Sequence, residues 1–175
     1  MRSIREHFSS SHITLVTTNL INKLFSQIPF FDKIIIDERK SIFNTFNYVN
    51  HLKKANADLV IDLQNSKRTQ FYHFITRIFN PKIVINSSRK FSHFRYNIPK
   101  HGSEHVIEGL KNQLNLLNIE HNSISDINWL RKKDFINPIK KKFVLLIPGT
   151  SQNGTKKQWS SKNFSKLSYL INGLD

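Results

Sequence analysis

Short runs of β-branched and apolar residues alternate along the chain with longer stretches whose apolar positions recur every three or four residues. The short runs predict strands at His12–Thr17, Lys33–Asp37, Asp58–Leu63, Lys82–Asn86 and Phe143–Ile147. Between them, helical spacing predicts Asn19–Ile28, carrying Leu20, Ile21, Leu24 and Phe25, with Pro29 as its stop. Ser41–Ala55 follows with Ile42, Phe46 and Val49 on one face. Thr69–Phe79 contains Phe71, Phe74, Ile75 and Ile78 and ends at Asn80-Pro81. Glu104–Asn118 turns Val106, Leu110, Leu114 and Leu117 inward, and Asn163–Ile171 does the same with Phe164, Leu167, Leu170 and Ile171. Met1–Phe8 reads as the tail of a helix, and Ser87–Gly102 as a loop.

Strands that are near-continuously apolar and separated by helices predict an α/β fold. The sheet is parallel, with flanking helices on both faces. Such sheets bind ligands at the carboxyl ends of their strands. Functional residues are therefore expected just after Thr17, Asp37, Leu63, Asn86 and Ile147. Residues 1–118 form the first domain. Residues 119–142 are polar, basic and weakly periodic, and read as a connection with one edge strand near Ile127–Leu130. Residues 143–175 then supply one strand and one helix, too little to bury a sheet on both faces. The expectation is one nearly complete α/β domain followed by the opening of a second.

Composition narrows the chemistry. Of 175 residues, 38% are hydrophobic and 11% aromatic, which supports a packed core rather than a disordered tail. Cysteine is absent, which removes disulfides, thiolate metal sites and a cysteine nucleophile. No apolar run approaches the roughly 20 residues that cross a bilayer, and Met1–His12 has no apolar signal core. The formal charge of +15 favours polyanionic partners such as phosphorylated sugars, nucleotides, nucleic acid or anionic lipid.

The segment Ile147–Ser161 is the richest in chemistry. An apolar strand runs through Pro148-Gly149-Thr150-Ser151 into a polar loop with Lys156, Lys157 and Trp159, then into a helix. Small residues let backbone N–H groups approach an anion closely. The Thr150 and Ser151 hydroxyls can donate to phosphate oxygens, and Lys157 adds a point charge. The spacing is not that of a P-loop.

Here the sequence resembles a known family. Val144–Thr150 with Lys157-Gln158-Trp159, followed by Phe164 and Leu167, looks like the opening of the second domain of the family 9 glycosyltransferases, the ADP-heptose:lipopolysaccharide heptosyltransferases. Asp58-Leu59-Val60-Ile61-Asp62-Leu63-Gln64 resembles a strand of that family's first domain, and Lys67-Arg68-Thr69 sits where the family carries a basic residue and a hydroxyl. Ile13–Thr17 and Phe31–Ile35 match in order and spacing.

The resemblance implies two facing Rossmann-like domains of the GT-B type. The second would bind a nucleotide-sugar donor, ADP-heptose or similar, and the first a phosphorylated lipopolysaccharide-type acceptor. Transfer would invert the anomeric centre, with no metal and no cofactor beyond the donor. Carried over by position, Thr150, Ser151 and Lys157 hold the donor phosphates, and Gln64, Lys67 and Arg68 face the acceptor. The family's Asp base would lie before Met1, so these residues alone are expected not to turn over. The setting implied is the cytoplasmic face of the inner membrane, with peripheral contact to anionic lipid and no nucleic-acid partner.

Other residues carry weaker signals. Asp62 reads as an N-cap or structural hydrogen-bond acceptor. His101-Gly102-Ser103-Glu104-His105 formally matches an inverted zinc-protease motif, but Ser103 is a better N-cap than helix interior. His93, Arg95 and Tyr96 occupy the loop after the fourth strand, and Trp129 and Trp159 read as packing residues. Phe71, Phe74, Phe79, Phe91 and Phe94 interleave with Lys67, Arg68, Arg77 and Arg89. At helical spacing this predicts core on one face and charge on the other. The rival reading, a basic non-enzymatic nucleic-acid-binding module, rests on that interleaving.

Overall fold

A computed structural model describes residues 1–19, 22, 25–26, 28–38, 43–100, 103–120, 143–149 and 158–172. The elements in chain order are α1 (Arg2–His7), β1 (Thr14–Thr17), β2 (Lys33–Ile36), α2 (Phe43–Lys54), β3 (Leu59–Ile61), α3 (Lys67–Phe79), β4 (Val84–Ser87), β5 (Phe94–Arg95), α4 (Val106–Asn115) and α5 (Ser161–Asn172). The fold is α/β with parallel strands and flanking helices, as the alternation of periods predicts. Half of the helix expected at Asn19–Ile28 and all of the edge strand expected near Ile127–Leu130 lie outside the described residues.

The chain divides into two compact units, residues 1–132 and 133–175. In the first, the strands form two sheets rather than the single sheet expected. β1 pairs with β2 in parallel, Thr14 opposite Lys33 through Thr17 opposite Ile36. β3 pairs with β4, and β4 with β5, also in parallel. The break falls between β1 and β3, whose backbones are not hydrogen-bonded neighbours.

β5 lies inside the stretch expected to be a loop. It is held by backbone bonds from His93 N to Ile85 O (2.8 Å) and from Tyr96 N to Ser87 O (3.0 Å). The His93 side chain also takes part, its Nδ1 accepting from Ile85 N (3.1 Å). A ring nitrogen thus satisfies an edge amide of β4 that has no strand partner there.

The core gathers Ile75, Ile83, Ile85, Val49, Leu114 and Ile119 beneath α2, α3 and α4. α2 and α3 pack on each other, and the Tyr48 ring stacks on Tyr72 at 4.7 Å between centroids. Two helices differ from expectation in which side they bury. α3 buries Tyr72, His73, Ile75 and Thr76, while Phe71, Phe74 and Ile78 are exposed. α4 begins at Val106, so Val106 is an exposed first-turn residue rather than an inward one. His105, not Ser103, caps α4, its Nδ1 accepting from Ile107 N (3.2 Å).

In the second unit, Phe143–Gly149 has no regular secondary structure, where a strand was expected. A parallel strand needs a neighbour for its ladder, and no described strand pairs with it. Leu146 and Pro148 lie with Phe164 and Tyr169 of α5 along an open groove. The expected inward set of α5 is only partly covered: Phe164, Leu167 and Ile171 are half-buried, and Leu170 is exposed. Trp159 packs edge-on against Phe164 at 5.2 Å, in keeping with its reading as a packing residue.

Candidate functional site

Polar residues collect at the carboxyl ends of β3 and β4. Asp62 follows β3, and its Oδ1 accepts from Gln64 N (2.9 Å) and Asn65 N (3.0 Å). This Asx-type turn redirects the chain from strand to helix. Asn65 sits in the left-handed region at φ 52°, a conformation that Asn tolerates better than most residues. Ser66 then caps α3: its Oγ accepts from Thr69 N (3.1 Å), and Thr69 Oγ1 accepts from Ser66 N (2.9 Å). The cap is therefore Ser66, and Asp62 is the structural acceptor behind it.

Asn65 fastens this turn to β4. Its Oδ1 accepts from Ser87 Oγ (2.9 Å) and Ser88 N (2.7 Å), and its Nδ2 donates to Gln113 Oε1 (2.7 Å). Gln113, on α4, donates from Nε2 to Asp62 O (2.8 Å) and Asn86 Oδ1 (3.0 Å). Asn86 Nδ2 returns a bond to Gln113 O (3.0 Å). Asn86, Ser87 and Gln113 are fully buried, so each bond replaces water that cannot reach the site. Arg89 Nε donates to Asn65 O, which secures the turn from the other side.

Asp62 Oδ2 faces His73 Nε2 at 3.3 Å and accepts from Ser87 Oγ at 3.2 Å. Burial pushes the Asp62 carboxyl up, but hydrogen bonds from His73, Thr69 and Asn65, with the His73 charge, bring it below its ordinary value. A serine, a histidine and an aspartate thus meet, yet not in a nucleophilic arrangement. A general base must touch the nucleophile, whereas here the carboxylate stands between Ser87 and His73. The His73 Nδ1 is buried without a partner among the described atoms. The cluster is a buried, hydrogen-bonded scaffold at the strand ends.

The second carboxylate, Asp37, follows β2 and continues its ladder through Asp37 N to Thr17 O (2.7 Å). Its Oδ2 accepts from Tyr72 OH (2.8 Å). Burial and this bond push the Tyr72 hydroxyl up, while Arg68, hydrogen-bonded to the same hydroxyl, works the other way. Tyr48, stacked above, is pushed well up by burial and by the nearby charges of Asp62 and Asp37.

Gln64, Lys67 and Arg68 come together on this frame. Gln64 is exposed in the turn after β3, and Lys67 and Arg68 are exposed in the first turn of α3, which carries no acidic residue. Thr150, Ser151 and Lys157, the expected donor-phosphate set, lie outside the described residues. So does His101. Of that formal zinc motif, Glu104 accepts from Tyr96 OH (2.6 Å) and Asn112 Nδ2 (2.7 Å), and His105 caps α4. Among the described residues no group of three His, Cys, Asp or Glu side chains could hold a metal ion. No described helix is long and apolar enough to cross a membrane.

Sequence reasoning missed the scaffold beneath the exposed trio. Asn65, Asn86 and Gln113 come from a turn, a strand and a helix far apart in the chain. One signal was present: Asn and Ser at 86–88 extend an apolar strand into its polar end, where a parallel sheet presents its ligand side. Comparison with protein-family models, curated proteins and solved structures finds no match.

Proposed function

We propose that the chain is part of a GT-B glycosyltransferase of the family 9 type, and that its first unit holds a phosphorylated saccharide acceptor. The observation that carries this reading is the placement of Gln64, Lys67 and Arg68. All three are exposed at the carboxyl end of a parallel strand and around the N-terminus of a 13-residue helix. Such a terminus carries partial positive charge and free amides. Two cationic side chains and no carboxylate in that turn suit a phosphate.

The sheet order adds support. A doubly wound sheet of order 3-2-1-4-5-6 contains the blocks 3-2 and 4-5-6 on either side of its first strand. The two sheets here, β1-β2 and β3-β4-β5, are each parallel throughout, as segments of such a sheet would be. In this reading Thr150, Ser151 and Lys157 bind the diphosphate of an ADP-activated sugar. The transfer is an inverting displacement in which a carboxylate takes the acceptor proton. The buried network of Asp62, Asn65 and Gln113 positions the acceptor side and takes no proton.

Calorimetric titration of the chain with a phosphorylated heptose and with ADP tests the proposal. The Lys67→Ala/Arg68→Ala variant should lose roughly tenfold or more in affinity for the phosphosugar, the scale of two charge-assisted contacts, and keep its ADP affinity. Thr150→Ala/Lys157→Ala should do the reverse. Salt-sensitive binding to random RNA, with no affinity for either small ligand, would instead favour the nucleic-acid module.

A further inference from the structure

α3 is turned inside out relative to an ordinary surface helix. Its inward face carries Tyr72, His73 and Thr76 beside Ile75. Its outward stripe is Phe71, Phe74 and Ile78, at i, i+3 and i+7, exposed by 41%, 40% and 55%. Spacing of this kind places an apolar ridge along one side of the helix. Beyond the helix the ridge continues into the loop before β5, where Phe91 lies against Phe74 at 5.2 Å and is itself 41% exposed. Three aromatic rings and an isoleucine held together in water are an unusual surface, and such patches mark interaction sites.

The charge around the ridge selects the partner. α3 contains Lys67, Arg68 and Arg77 and no acidic residue over its whole length. Lys67 and Arg77 are exposed beside the stripe, and Lys90 is exposed immediately before Phe91. Arg77 is close enough to His93 that its charge, after burial, helps push that imidazole down, which ties the loop to this side of the helix. An apolar stripe edged by Lys and Arg matches the boundary of an anionic bilayer, where rings enter the acyl edge and cations meet phosphates. Aliphatic Ile78, the most exposed member of the stripe at 55%, suits acyl chains and adds nothing to base stacking.

We propose that the outward stripe of α3, with Phe91 and its flanking cations, docks the first unit on an anionic phospholipid surface. The helix lies in the plane of the interface, and Phe71, Phe74 and Ile78 reach below the headgroups. This inference stands on the surface alone and does not depend on glycosyl transfer.

The chain has no cysteine, so a fluorophore can be placed at one chosen position. An Ile78→Cys variant labelled with NBD reports insertion, and a Lys54→Cys variant, labelled on the exposed end of α2, serves as control. Vesicles of phosphatidylcholine containing phosphatidylglycerol should brighten and blue-shift the probe at position 78 and leave that at position 54 unchanged. Pure phosphatidylcholine should do much less. In co-sedimentation, Phe71→Ser/Phe74→Ser should lower vesicle binding by roughly tenfold, as expected when apolar insertion supplies much of the affinity. Because both residues face outward, its circular dichroism should be that of the parent. Should that variant fail to fold, the probe at position 78 in the otherwise native chain decides alone.

Three outcomes overturn the proposal. The chain does not sediment with anionic vesicles. It sediments but the probe at position 78 does not respond, which is adsorption by charge. Or the probe responds to a single-stranded RNA or to rising protein concentration and not to vesicles, which assigns the ridge to nucleic acid or to a second copy.

Discussion

His73 Nε2 lies 3.3 Å from Asp62 Oδ2, with both side chains almost completely buried. Asp62 ends β3, and His73 is on the second turn of the helix that follows, so the pair closes the β3–α3 unit on itself. Buried polar partners stabilise mainly by what the loss of one would leave unpaired. Removing the carboxylate leaves His73 and two turn amides without their acceptor, while Ser87 keeps Asn65 Oδ1. Asp62→Ala should cost about 3–5 kcal/mol, read as a lower urea midpoint. Asp62→Asn, which keeps the shape and one acceptor, should cost less.

The same carboxylate sets an acid limit. Its folded pKa lies below the ordinary 3.8, so the unfolded chain binds its proton first as pH falls. The stability it contributes is complete above pH 3.8 and is lost as pH falls through the lower folded value. Denaturation midpoints from pH 5 down to pH 2 should fall more steeply at the acid end than those of Asp62→Asn.

Tyr72, the neighbour of His73, reaches the other sheet. Its hydroxyl donates 2.8 Å to Asp37 at the end of β2, so two consecutive residues of α3 touch the strand ends of both sheets. Tyr72→Phe should cost about 1.5–3 kcal/mol, the range for hydrogen bonds to charged groups. Hydrogen exchange should show β1 and β2 losing protection more than β3 and β4.

Gln113 uses both ends of its amide: it donates to Asp62 O and Asn86 Oδ1 and accepts from Asn65 Nδ2. Gln113→Leu should cost about 2–4 kcal/mol, because it strands partners on two segments, the turn after β3 and the strand β4. Thermal unfolding should show the loss without a change in helix content at low temperature.

His93 gives a second pH dependence. Its Nδ1 accepts from Ile85 N, which only a ring unprotonated at that nitrogen can do. Burial, with the charge of Arg77, holds it below the ordinary 6.5. The unfolded chain therefore protonates first, and this contribution is lost as pH falls from 6.5 through the folded value. NMR titration should show the Ile85 amide shifting with the His93 ring, and His93→Gln should flatten the effect.

Much of the frame was legible along the chain. Strand cores at Leu15-Val16, Ile34-Ile35, Val60-Ile61 and Val84-Ile85 are short apolar runs that suit little but a buried parallel strand. Asn80-Pro81 had to stop α3, since proline restricts the residue before it. Lys67 and Arg68 were legible as candidate ligands because they follow a strand end directly. The network under them was not. Asn65, Asn86 and Gln113 are ordinary polar residues until three segments converge and exclude water from among them.

The amphipathic reading of α3 failed for a related reason. Aromatic spacing states that a ridge exists, and not which way it faces. Tyr72 and His73 face inward, where Asp37 and Asp62 lie as their partners, and this orientation leaves Phe71 and Phe74 on the outer side.

By itself, then, the order of residues determined the alternation of strand and helix, the parallel pairing and the polar ends where the strands stop. These follow from backbone sterics and the period of apolar side chains, which act over a few residues. Only the tertiary structure decided that the strands fall into two sheets, that α3 presents its phenylalanines to solvent, and that Asp62 is held by His73 and Ser87. Those outcomes depend on which buried polar groups find partners far away in the chain, a sum over contacts that no local window contains.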